Sequence, residues 1–118
     1  MIETNEIELG GRKLKVHYGT NAVREIEMTL DKSIFELLRE LREEEGLGVN
    51  EIVVIVWAGL LKHLRQITPE QVGDLFDEDP SSIDSAAETC AKALAQAMIR
   101  YIRSPQGTEN EEKIPGKN

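Results

Sequence analysis

Ten consecutive residues, Ile52 to Leu61 (IVVIVWAGLL), carry no charge. A segment this apolar has to be covered on nearly every side, so the rest of the chain must wrap around it. It is about half the length that a bilayer span requires. The β-branched opening, Ile52-Val53-Val54-Ile55-Val56, would suit a buried strand. Three features favour a helix instead. The apolar pattern continues to Leu64 with Gly59 as its one breaker, it exceeds a usual strand, and it starts behind a capping residue, Asn50. The expectation is a central helix over about 50–64, in a chain of 118 residues sized for one domain.

The cover begins at the N-terminus. Ile7, Leu9, Leu14 and Val16 alternate with charged residues in two runs that flank Gly10-Gly11. Glycine reaches the positive φ of a tight hairpin turn, so residues 5–18 read as a β-hairpin. Glu6 and Glu8 would face basic residues across it on a wet side. A lone hairpin is marginal in water, so its apolar face must pack on the helices.

The period then becomes helical. Thr20 or Asn21 can cap a helix over about 20–30 that carries Ala22, Val23, Ile26 and Leu30. Ser33 and Glu36 have capping-box spacing ahead of a helix over 33–45, with Ile34, Leu37, Leu38 and Leu41 inward and Gly46-Leu47-Gly48 as its stop. Thr68-Pro69-Glu70-Gln71 is a strong start for a helix over 68–76, with Val72, Leu75 and Phe76 buried. After Pro80, Ser81 or Ser82 caps a last helix over 82–103. Its stripe is Ile83, Ala87, Cys90, Leu94, Ala97 or Met98, and Tyr101, narrow enough for close helix approach. The predicted fold is α+β: one domain over residues 1–103, a hairpin on a bundle of about four to five helices. Residues 104–118 read as a disordered tail. Phe35, Trp57 and Phe76 fall on helical positions that belong to a core.

Charge narrows the function. The chain has 22 acids against 14 bases, a formal charge of -8 and a pI near 4.8. That excludes the basic footprint of a nucleic-acid binder and the polybasic surface of a membrane-associated protein. Aromatics at 4% leave no stacking platform for single strands. A single cysteine has no partner for an internal disulfide, and the first residues lack the basic start and apolar run of a signal peptide. The expectation is a small, soluble protein of a reducing compartment.

Chemistry has few candidates. His17 and His63 are far apart in sequence and lack a supporting carboxylate motif. Cys90 sits on an apolar stripe, where cysteine behaves as a small hydrophobe. Asp77, Asp79, Ser81 and Glu88 stand at four positions of an EF-hand-like loop, but Pro80 interrupts it and Ser82 replaces the turn glycine. No catalytic residue, cofactor or metal is expected, and the chain reads as a non-enzyme. Residues 68–90 hold seven acids and no base: Glu70, Asp74, Asp77, Glu78, Asp79, Asp84 and Glu88. Such a block is either a solvated face with charge-complemented helix starts or a docking surface for a basic partner. The candidate protein-binding residues are Glu70, Asp74, Asp77, Glu78 and Asp79, together with Ala87, Leu94 and Met98 on the last helix.

The order of segments resembles the phage tail assembly chaperone family. Tyr18-Gly19-Thr20-Asn21, Leu30-Asp31-Lys32-Ser33, Trp57-Ala58-Gly59-Leu60 and Ile67-Thr68-Pro69-Glu70-Gln71-Val72-Gly73-Asp74-Leu75 carry the resemblance, over about residues 5–78. Their order, more than any one piece, makes the likeness. It implies a non-enzymatic protein of the host bacterial cytoplasm that coats the tape-measure protein and helps the tail tube assemble around it. Partners so implied are the tape-measure protein, the tail-tube protein, further copies of the chain and a longer frameshifted form. Gly116-Lys117-Asn118 could be encoded by slippery codons, and a gene without a slippery heptamer there would remove that idea. Two alternatives are a structural tail component, such as a tube or completion protein, and a small acidic regulatory adaptor.

Overall fold

The computed structural model describes residues 5–43 and 46–102, the last three of them by backbone alone. A two-stranded antiparallel hairpin leads into five helices, which is the expected α+β architecture. Strands β1 (Asn5–Leu9) and β2 (Arg12–Val16) pair with Glu6 opposite Lys15, Glu8 opposite Lys13 and Leu9 opposite Arg12. Gly10 and Gly11 make the turn at φ 59° and 76°, both in the left-handed region. Gly10 has a second constraint. A Cβ there would stand 2.8 Å from Leu75 Cδ2, because the turn is pressed against the helix that carries Leu75.

Helix α1 (Thr20–Leu30) starts behind Gly19, so neither Thr20 nor Asn21 occupies the cap. The Asn21 amide oxygen accepts instead from Arg24, inside the first turn. Asp31 ends α1 in the left-handed conformation. Helix α2 (Ile34–Leu41) begins with the Ser33 hydroxyl accepting from the Glu36 N–H at 3.1 Å. The Ile34 N–H is satisfied from the preceding helix, by Glu27 Oε2 at 2.8 Å. The helix stops at Leu41, short of the expected residue 45; residues 44 and 45 lie outside the described ones.

The apolar run is helical. Helix α3 spans Val49–Leu60 and continues as turns to His63. Its cap is Gly48, whose N–H donates to Glu51 Oε1 at 2.9 Å, so the expected cap Asn50 lies within the first turn. Helix α4 (Pro69–Glu78) has the full capping box. Thr68 Oγ1 accepts from the Gln71 N–H at 3.1 Å and Gln71 Oε1 accepts from the Thr68 N–H at 2.9 Å. A 3-10 turn over Pro80–Ser82 then leads into α5 (Ile83–Ile102). Neither Ser81 nor Ser82 caps α5 by accepting a bond. Their hydroxyls donate back to Asp79, at its Oδ1 and its carbonyl. The expected tail, 104–118, lies outside the described residues.

Helix α3 is the centre. It packs on α1, α4, α5 and β2, while α5 also covers β1. The hairpin supplies Ile7, Leu9 and Val16 to the core, α3 supplies Val54, Ile55, Val56 and Leu60, and α5 supplies Ala86, Cys90, Leu94 and Met98. Among the described residues, no helix is long and apolar enough to cross a membrane.

Candidate functional site

The molecule offers two charged surfaces and one buried polar cluster. The acidic surface comes from α4. Burying Val72 and Phe76 turns Glu70, Asp74, Asp77 and Glu78 outward, and all four are exposed. Asp79 is half-buried and is spent on holding the 3-10 turn. The carboxylates thus lie along one helix flank and reach the hairpin, where Glu78 Oε1 comes within 3.2 Å of the place a Cβ would take on Gly10. Among the described residues, no three His, Cys, Asp or Glu side chains converge as a metal site would need.

The partner-binding residues expected on α5 divide differently. Leu94 and Met98 are 0% and 1% exposed and belong to the core. As core residues of this chain they are not available to a partner. The stripe that looked like a pairing face is occupied by the chain's own hairpin and α3. Ala87 is half-buried. The aromatic residues also divide. Phe76 is core, and Trp57 is half-buried with Nε1 donating to the Ile67 carbonyl at 2.8 Å. Phe35 is 49% exposed, contrary to the core position expected for it. It follows Ile34 directly, and the short α2 turns Ile34 and Leu37 inward instead.

The buried cluster centres on Tyr18. Its hydroxyl donates to the Ile55 carbonyl at 2.6 Å, bridging the end of the hairpin to α3. The ring lies on Gly59: a Cβ there would meet Tyr18 Cζ and Oη at 2.6 Å. The glycine that looked like a helix breaker is therefore the seat of a tyrosine. Cys90 sits beside the Tyr18 hydroxyl, and burial pushes its thiol up to about 11, so it stays protonated. Burial, and then Cys90, push the Tyr18 hydroxyl well above its ordinary value too. This is a structural arrangement, with no ionised nucleophile at neutral pH.

A second charged surface has weaker signs in the sequence. Arg12 of β2, His63 and Arg65 after α3, and Gln71 and Asp74 of α4 line an open groove of about 690 Å³, floored by Leu64, Ile67 and Leu75. A neighbouring depression of about 580 Å³ shares Arg65 and adds His17, Lys62 and Glu25. Among the described residues, the ion pairs are Lys32–Glu40, Lys32–Glu51 and Lys92–Glu88, so Arg12, Lys62, His63 and Arg65 belong to none. One signal was visible: residues 52–69 hold Lys62 and Arg65 and no acid. Arg12, some fifty positions earlier, could be joined to them only by the fold.

No family model, no curated protein and no solved structure matches the chain.

Proposed function

We propose that this protein is a phage or prophage tail assembly chaperone, a non-enzymatic binder that coats the tape-measure protein and promotes assembly of the tail tube. One observation carries the reading: the four resembling segments, beginning at Tyr18, Leu30, Trp57 and Ile67, follow one another in the family's order. Their structural roles make that order meaningful. Tyr18 packs on Gly59, Trp57 donates to Ile67, and Thr68 and Gln71 cap each other. Lys32 ties the second segment to α3 through Glu51.

A binding role also suits the chemistry. The thiol is buried and protonated, the acidic block lies exposed along α4, and a basic groove lies beside it. Such a protein would act in the host bacterial cytoplasm, with further copies of itself and the tail-tube protein as secondary partners. The test is co-expression with the long coiled-coil protein encoded downstream. The soluble fraction of that client should rise when this chain is present, and an unchanged fraction would refute the reading.

The acidic flank of α4 favours a second reading, a small adaptor that covers a basic partner. Neighbouring genes separate the two: tape-measure and tube genes in one case, a toxin or regulator gene in the other. A structural tail component would remain in finished particles, whereas a chaperone should be absent from them.

A further inference from the structure

We infer that the groove between β2, the α3–α4 connection and α4 docks a peptide segment that carries carboxylates beside an apolar anchor. The inference stands on the groove and does not need the chaperone reading. Under that reading, the segment belongs to the client.

Charge complementarity carries it. In a chain of net charge -8, Arg12 and Arg65 converge on one groove and pair with no carboxylate of the described residues, with the His63 ring beside them. Among the described residues, Asp74 is the one acid on that rim, and Glu25 is the one acid in the adjoining depression that adds Lys62. Guanidinium groups on two separate elements, β2 and the α3–α4 connection, can each grip a carboxylate through paired N–H donors. Gln71 uses its amide oxygen on the Thr68 N–H, which leaves its amide N–H groups as further donors.

The floor decides between kinds of anion. Exposed ion pairs contribute little one at a time, so a ligand held here needs apolar contact as well. Leu64, Ile67 and Leu75 provide it, each half-buried. A nucleic acid would need a basic track that follows its backbone. Here Arg12 and Arg65 share the groove with Asp74, and Asp77 and Glu78 follow beyond it on the same helix. Those carboxylates would repel a long polyanion, while a short segment needs to reach only Arg12 and Arg65.

The test uses the full chain, labelled with nitrogen-15, and a short synthetic peptide whose leucines alternate with glutamate and aspartate. Amide shifts should centre on residues 63–67 and 71–75. Arg12 and Arg65 are both exposed, so R12E/R65E should keep the fold, seen as an unchanged far-UV spectrum. It should weaken the peptide by about tenfold or more. A peptide with lysine in place of its acids should produce no shifts in the groove. The inference is overturned by shifts centred on another surface or by undiminished binding to R12E/R65E. It is equally overturned if a leucine-free acidic peptide binds as tightly, or if duplex DNA displaces the peptide. The co-expression assay separates this from the function itself. A client solubilised equally well by R12E/R65E would remove the groove as its site and leave the chaperone reading standing. A client unaffected by the natural chain would remove that reading and leave the peptide result intact.

Discussion

Helices α2 and α3 are both apolar, and the molecule holds them in opposite ways. Six of the twelve residues of α3 are buried, and it packs on four other elements. Two of the eight residues of α2 are buried, and its principal neighbour is α1. Ile34 and Leu37 anchor α2 in the core, and a charge cluster adds a second tie. Lys32 Nζ lies 2.9 Å from Glu40 of α2 and 2.6 Å from Glu51 of α3. Where a helix is surrounded, close packing fixes it and single atoms matter. Where a helix lies at an edge, a few buried side chains fix it with help from ion pairs and caps, and apolar side chains such as Phe35 can stay in water.

The comparison can be broken at the packed centre first. Leu94→Ala would open a cavity against the hairpin and α3, with an expected loss of about 3 kcal/mol. The urea midpoint should fall accordingly. A stability equal to that of the natural chain would mean that Leu94 is a surface residue after all. Gly59→Ala comes next. Alanine in a helix interior normally gains about 1 kcal/mol over glycine. Here the new methyl must displace the Tyr18 ring, and a net loss of about 2 kcal/mol is expected. In a Tyr18→Ala background the same substitution should lose that penalty, so a double-mutant cycle measured by denaturation isolates the contact.

The edge should respond more weakly, and to solution conditions. Hydrogen bonding by Lys32 holds the Glu51 carboxyl below its ordinary value of 4.5. Bonds to Glu51 and then Glu40 raise the Lys32 ammonium above its ordinary 10.5. A depressed acid contributes stability that is complete above its unfolded value and is lost as pH falls through its folded value. A raised base contributes stability that is complete below its unfolded value and is lost as pH rises through its folded value. The network is thus fully effective between pH 4.5 and 10.5. Lys32→Met should lower the melting temperature modestly at pH 7 and flatten the loss of stability below pH 4.5. Thermal melts across pH would show it, and an unchanged acid limb would disprove the coupling. Phe35→Ser should change stability least, by less than about 0.5 kcal/mol. A larger loss in chemical denaturation would place Phe35 in a packed site.

Much of the local structure was legible. Glycine in the left-handed region fixed the hairpin turn at Gly10-Gly11, and alternation fixed its register. The Thr68 and Gln71 spacing fixed the start of α4 to the residue. These are short-range effects, decided within four residues. The cap of α3 was misplaced by two positions because glycine and asparagine both serve there, and only Glu51 reaching back to Gly48 selects between them. The surface was less legible. The stripe on α5 shows that one face is apolar, but periodicity cannot say whether the chain itself or a partner covers it. The acidic flank was readable because its residues lie within nine positions of one helix. The basic groove was not, because β2 supplies Arg12 to it.

By itself, then, the sequence determined the elements, the caps at Ser33 and Thr68, and the charges, since each depends on neighbours a few bonds away. The tertiary structure decided what touches what. It placed Tyr18 on Gly59, kept Leu94 and Met98 for the core, left Phe35 in water and gathered Arg12, His63 and Arg65 around one groove. The physical reason is that covering the α3 run is a property of the whole chain. Each element can bury only what the others leave uncovered.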